Sequence, residues 1–243
     1  MRTSSPARIP LILLAASGLA REVMASRALA ESFDLLGVLD DDRDRHGRSF
    51  GPTTVLGPID EASSYPDAMF VVCTGQGQVR ERIVTELESR GVREDRFASI
   101  IDPSAVVAPG CAVGAGSVLL AHVTLTADVT VGRHVVIMPQ AVLTHDNRIE
   151  DYATICSGVA LGGSVVVGTA AYLGMSSSVR QNLRIGDRAT LGMGSVLLRD
   201  LPAGRTWVGA PAADIGDRPT SKLMSKNGDG QRPAAGDREG MFS

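Results

Sequence analysis

At 243 residues the chain is long enough for one large domain or two small ones, each with a buried core. A net charge of -3 argues against a nucleic-acid-binding surface. No apolar run reaches the roughly eighteen residues of a membrane span, and the start lacks an export signal's basic stretch, long apolar core and cleavage site, so neither nucleic acid nor membrane is an expected partner. The three cysteines, Cys73, Cys111 and Cys156, are odd in number and widely spaced. They suit buried small hydrophobes in a reducing compartment, and the expected location is the cytoplasm.

In chain order, polar residues through Arg8 are expected to fray. Ile9 to Ala15 reads as a buried strand, Ala16-Ser17-Gly18 as a turn, Arg21 to Ser32 as a helix, and Leu35 to Leu39 as a second strand ending in Asp40-Asp41-Asp42. Strand, small-residue turn, helix, strand and acidic end make a Rossmann-like unit. A polar loop region follows to Pro58, with a short strand at Thr54 to Leu56. Ala68 to Cys73 is another buried strand, Thr74 to Gly77 a turn, Gln78 to Arg90 a helix, and Phe97 to Ile100 a last strand. A full G-x-G-x-x-G is missing, because Ala15, Ser17 and Ala20 surround the single Gly18. The helix start after Ser17 and Gly18 can still hold a phosphate on its amides, with Gly75 and Arg80 adding to a ligand-binding end. Asp40 or Asp41 can accept from ribose or sugar hydroxyls; the alternative for this acidic run is a solvated turn.

From Ile101 to Leu197 an aliphatic residue returns every sixth position without a slip. A period of six fits neither a helix nor a half-buried strand, so it describes a solenoid of short strands and fixed corners. The residue after the aliphatic one is often glycine (114, 132, 162, 168, 174, 186, 192), as expected of a tight corner, and three residues later the position is nearly always small. Three such hexads per turn fill a narrow triangular prism, so residues eighteen apart are vertical neighbours about 4.8 Å apart. Asp200 to Pro211 leads into the closing Trp207 to Ala212, and the polar tail from Gly216 is expected to be disordered.

The prism frame sorts the histidines. His122 stacks under Gln140, His134 under Tyr152 and His145 under Gly163, in columns that do not converge on a metal ion. No metal is expected. A lone surface histidine is by default solvated, but His145 is followed by the carboxylate of Asp146. In its hexad Asn147 breaks the small-residue rule, and one coil above it lies Gly162-Gly163-Ser164, where backbone amides stand bare. A base below and an open amide above suit acyl transfer.

Thr144-His145-Asp146, the Gly162-Gly163 pair and the terminal Val208-Gly209-Ala210-Pro211-Ala212 resemble the hexapeptide-repeat sugar acyltransferase family of sialic acid O-acetyltransferases and UDP-4-amino-sugar N-acetyltransferases. The resemblance covers residues 9 to about 213. It implies an α/β Rossmann-like domain over 1–100 that binds the acceptor or nucleotide sugar, an all-β left-handed parallel β-helix acyltransferase domain over 101–213, and a tail over 214–243. It further implies a homotrimer, acetyl-CoA or another acyl-CoA between adjacent prisms, and a sugar or nucleotide-sugar acceptor. By position, His145 is the general base, Asp146 orients it, and the Gly163 amide binds the oxyanion. Gly162, Gly163, Met175, Met193, Gly209 and Pro211 fall on the coenzyme, and Ser17, Gly18, Asp40, Asp41 and Gly75 on the acceptor. The chain departs from the family at Thr154, where a second histidine is common, at Met138, where asparagine is common, and at Ala213, where a basic residue is common; Arg218 or Lys222 could substitute there. Transfer to a non-sugar metabolite, and a non-catalytic trimeric scaffold, are the competing expectations.

Overall fold

The computed structural model describes residues 8–216. Residues 1–7 and 217–243, with Arg218, Lys222 and nearly all of the expected tail, lie outside the described residues. The N-terminal unit is a five-stranded sheet in the order β3-β4-β2-β1-β5, formed by β1 (Ile9–Leu14), β2 (Phe33–Leu39), β3 (Ser49–Phe50), β4 (Thr53–Gly57) and β5 (Met69–Val72). β2 and β5 both run parallel to β1, and only the β3–β4 hairpin is antiparallel. Leu11 to Leu14 are wholly buried, as an all-apolar central strand covered on both faces requires.

The segment read as one helix is two, α1 (Gly18–Ala25) and α2 (Arg27–Ser32). Ser26 breaks it by taking an extended conformation at φ -68°, ψ 139°. Its hydroxyl accepts the Ala28 N–H at 3.2 Å and donates to Asp102 Oδ2 at 2.9 Å. A serine cap gives α2 its own start, and the bond to Asp102 ties that start to the first coil of the prism. The polar region expected as loop carries the β3–β4 hairpin, and α3 (Gly77–Ser89) follows β5.

The prism begins at the strand Ile100–Ile101 and has three parallel faces, with strands pairing those eighteen residues away until the last coil, where Thr190 and Leu191 pair with Thr206 and Trp207 sixteen residues on. The first face runs from Ile100–Ile101 to Thr206–Val208, the second from Val106–Val107 to Val196–Leu197, and the third from Ala112–Val113 to Arg184–Ile185. Leu125, Ile137, Leu143, Ile155, Leu173 and Leu191 fill its axis with the small Val129, Val135, Ala141, Ala153 and Ala171 between them, all fully buried. At the far end Ala213–Asp214 folds back antiparallel on Trp207 and Val208, so Asp214, expected in the tail, lies in a strand.

The corner glycines have a different cause from the expected one. The left-handed backbone falls two residues after them, at His134, Ser164, Ala170 and Ser176, with φ between 53° and 58° in each. Glycine is required instead because the next coil comes too close. A Cβ on Gly162 would lie 2.6 Å from Gln181 N, and one on Gly174 2.5 Å from Met193 N.

The two units meet through α3. Arg80 is buried, where the sequence suggests a ligand-binding group. Its guanidinium donates to the carbonyls of Thr74 (2.6 Å), His134 (2.9 Å), Tyr152 (2.7 Å) and Ala153 (2.9 Å) and to Thr154 Oγ1 (3.0 Å). Its acceptors lie mostly within the prism, so Arg80 fastens the domains together and is not available to a ligand.

Candidate active site

Each coil turns three corners, which stack into three edges. The three histidines of the prism stand one on each: His122 between the first and second faces, His145 between the second and third, His134 between the third and first. Among the described residues no group of three His, Cys, Asp or Glu is placed to hold a metal ion.

His134 is structural. It is fully buried, packs its edge on Phe97 with ring centroids 4.8 Å apart, and stacks on Tyr152 at 5.4 Å, as the eighteen-residue rule predicts. Burial, then the charges of Arg133 and Arg80, push its imidazole down to about 3, so the ring is neutral in the folded protein. Neither ring nitrogen has a hydrogen-bond partner among the described residues.

His145 stands open, with 63% of its side chain exposed. Its Nδ1–H donates to Asp146 Oδ2 at 2.7 Å, which leaves the lone pair on Nε2. Asp146 reaches its neighbour because its backbone turns left-handed at φ 60°. The ring lies directly beneath Gly163: a Cβ there would fall 2.3 Å from both Cε1 and Nε2. Only glycine leaves that space to the imidazole.

The amide above is free. At two corners of another edge the N–H of Arg133 donates to Asp151 at 2.7 Å, and that of Thr169 to Asp187 at 3.0 Å, each an aspartate eighteen residues on. Eighteen residues after Gly163 stands Gln181, and among the described residues no acceptor takes the Gly163 N–H. Asn147 holds the corner from inside, where its buried side chain donates to the carbonyls of His145 (3.2 Å) and Gly162 (2.8 Å) and so joins the two coils of the site.

The expected coenzyme residues separate. Gly162 and Gly163 lie on the His145 edge, whereas Met175, Met193, Gly209 and Pro211 lie on the edge between the first and second faces. A single chain does not bring them together, because they are displaced by twelve residues, two corners of the triangle. Met193 is 72% exposed and Met175 48%, large apolar groups on an open edge. Gly209 takes φ 99° and donates to Ser195 Oγ at 3.0 Å, next to the cis Ala210–Pro211 bond.

The expected acceptor residues separate too. Ser17, Gly18 and Asp40 line one hollow of about 490 Å³ with Ala16, Arg45 and Phe50. Ser17 caps α1, and Asp40 accepts the N–H of Ala16 at 2.6 Å and of Asp42 at 2.8 Å, so part of its acceptor capacity is spent on the turn. Asp41 points to a different hollow and accepts the Ile59 N–H at 3.0 Å. The Gly75 carbonyl faces the prism and accepts from Thr154 Oγ1 at 2.9 Å. Thr154, at the family's second-histidine position, is thus buried under the N-terminal unit, half a coil from His145. Met138 is half-buried against the hydrophobic core, and Ala213 lies in the closing strand. Cys73 and Cys156 are buried thiols, both pushed up by burial; Cys111 is half-buried.

Residues 10–87 match the model of the PglD N-terminal domain family. The chain is 30% identical over 162 residues to GDP-perosamine N-acetyltransferase of Escherichia coli O157:H7, spanning 65% of this chain and 72% of that protein. An acyl-[acyl-carrier-protein]–UDP-N-acetylglucosamine O-acyltransferase of Pseudomonas putida is 40% identical over 86 residues, a third (33%) of its own length. Among solved structures, the acetyltransferase domain of PglB from Neisseria gonorrhoeae FA1090, in complex with acetyl coenzyme A, superposes with a TM-score of 0.78 at 25% identity, covering 86% of this chain and 100% of that one. A histidine-to-asparagine mutant of perosamine N-acetyltransferase from Caulobacter crescentus, in complex with CoA and GDP-perosamine, superposes equally well, at TM-score 0.78 and 28% identity over 86% and 97% of the two chains.

Proposed function

Because the chain belongs to the hexapeptide-repeat sugar acyltransferases, we propose that it moves an acyl group, acetyl in the simplest case, from coenzyme A to an amine or hydroxyl of a nucleotide sugar at the His145 corner. One observation carries the assignment of the site: among the described residues His145 Nε2 has no partner, and it lies beneath a glycine whose own N–H has no acceptor.

The roles follow from that geometry. His145 Nε2 removes a proton from the acceptor as its nitrogen or oxygen bonds to the acyl carbon. Asp146 keeps the proton of the ring on Nδ1 and stabilises the imidazolium that forms. The Gly163 N–H meets the negative charge that develops on the acyl oxygen. The thioester supplies the acyl group and a sulfur leaving group; as the C–S bond breaks, the imidazolium can return its proton to the sulfur. Each group of this kind contributes about two to four orders of magnitude in rate. No covalent acyl-enzyme is needed, and the buried Cys156 has no part in it.

The separation of Gly163 from Met175, Met193, Gly209 and Pro211 onto two edges supports a coenzyme site between two protomers of a trimer, one edge from each. The hollow at Ser17, Gly18 and Asp40 supports a nucleotide diphosphate in the N-terminal unit, since it presents the amide end of α1 beside a ribose-competent carboxylate. No helix among the described residues is long and apolar enough to cross a membrane; a cytoplasmic location remains part of the proposal.

Purified protein mixed with acetyl-CoA and a panel of GDP-, UDP- and dTDP-linked sugars should release free thiol with at least one acceptor. His145→Ala should lower turnover about a hundredfold or more without changing the oligomeric state. Undiminished turnover in that variant would remove His145 from the mechanism.

A further inference from the structure

Asn147 stands where the repeat calls for a small residue: Val129 occupies the same interior position one coil below, and Val165 one coil above. It is 1% exposed, and its Oδ1 has no hydrogen-bond partner among the described residues. A polar side chain kept inside at that cost points to a task for its Nδ2. That nitrogen donates to the Gly162 carbonyl at 2.8 Å and to the His145 carbonyl at 3.2 Å. The His145 carbonyl also accepts the Ser164 N–H at 2.9 Å, whereas among the described residues Asn147 is the one donor to the Gly162 carbonyl.

The Gly162 carbonyl belongs to the same peptide unit as the Gly163 N–H. The unit is planar and trans, so a carbonyl drawn into the prism turns the N–H out. Another edge shows the arrangement complete. There the Gly132 carbonyl accepts the Ser117 hydroxyl at 2.8 Å from the interior, fifteen residues back as Asn147 is from Gly162. The N–H of that peptide, on Arg133, donates to Asp151 at 2.7 Å.

The Gly162–Gly163 peptide needs such a restraint more than its counterparts do. It is the chain's one Gly–Gly unit, and both glycines are imposed by space, Gly162 by the next coil and Gly163 by the imidazole. A peptide plane rotates about ψ of the residue before it and φ of the residue after, and here neither residue has a Cβ to resist.

Resting on the proposed function, we infer that Asn147 is a positioning residue for acyl transfer, which holds the Gly162–Gly163 peptide with its N–H turned out above the His145 ring, where the acyl oxygen acquires charge. The bond to the carbonyl also polarises the peptide and makes its N–H a stronger donor. Asn147 itself touches no substrate; it acts through the peptide.

Three variants test this. Asn147→Val restores the residue of the coils above and below. Asn147→Ser supplies a hydroxyl that can reach the Gly162 carbonyl as that of Ser117 reaches Gly132. Ser117→Val removes the same kind of bond from an edge without the site. With acetyl-CoA and whichever GDP-, UDP- or dTDP-linked sugar the wild type turns over fastest, Asn147→Val should lower kcat about tenfold or more and leave KM for both substrates within about twofold, because an oxyanion donor acts in the transition state. Asn147→Ser should recover most of that loss, and Ser117→Val should lower the melting temperature without changing kcat. In protein isotopically labelled at glycine nitrogen, the amide resonance that Gly163→Ala deletes should shift in Asn147→Val and return towards its wild-type position in Asn147→Ser. Full kcat in Asn147→Val, or a loss that Asn147→Ser does not reduce or that Ser117→Val reproduces, overturns the inference while the proposed function stands. Wild-type protein that turns over no nucleotide sugar overturns the proposed function, and the resonance then decides the orienting role by itself: an unmoved Gly163 amide in Asn147→Val overturns that as well.

Discussion

Gly163 is the most demanding single position in the molecule, because the imidazole of His145 occupies the space its side chain would fill. Its backbone is not left-handed, so Gly163→Ala should fold, yet its methyl must push the ring off Nε2's line to the acceptor. We expect turnover to fall ten- to a hundredfold with little change in melting temperature, read by steady-state kinetics beside thermal denaturation. Asp146→Asn should keep the ring in place and release its tautomer, with a smaller loss in kcat than His145→Ala. The sequence already marked His145, Asp146 and Gly163 as vertical and lateral neighbours, since the eighteen-residue rule follows from the repeat alone. It misassigned the corner glycines: a local pattern suggests tight-turn dihedrals, whereas the requirement is the closeness of the next coil, a contact across eighteen residues of chain.

Among the elements, α3 decides whether the N-terminal unit stays docked. Arg80 satisfies carbonyls from Thr74, His134, Tyr152 and Ala153, and Arg80→Ala would leave them buried without a donor. Hydrogen bonds to a charged group contribute about 1.5–3 kcal/mol each, so we expect a loss of roughly 3 kcal/mol or more, seen as a lower unfolding midpoint in urea and faster proteolysis between the units. His134 beside it gives the same junction an acid limit. Its folded value of about 3 lies below the roughly 6.5 of an unfolded histidine, so its contribution is whole above about pH 6.5 and is lost as pH falls towards 3. His134→Leu should flatten the decline of the unfolding midpoint over that interval; an unchanged slope would put the acid sensitivity elsewhere. Arg80 was legible only as a basic residue after a strand, because nothing local distinguishes a guanidinium waiting for a phosphate from one enclosed by carbonyls 54 to 73 residues away.

For the whole molecule, the two proposed half-sites lie on different edges of one prism, and the proposed trimer would join them through a neighbouring copy. Protomers carrying His145→Ala, mixed during refolding with protomers carrying Met193→Asp, should regain part of the activity that each lacks alone; mixed oligomers that stay inactive would show that one chain suffices. Composition, the unbroken period of six and the βαβ order determined the two-unit architecture and the coil register by themselves, because each reflects a repeated local rule: an inward aliphatic, a small partner, a corner. The break of α1 from α2 at Ser26, the parting of Asp40 from Asp41 and the burial of Arg80 were decided only in tertiary structure. Each depends on which surface of one unit meets the other, and no periodicity along the chain encodes a contact made once.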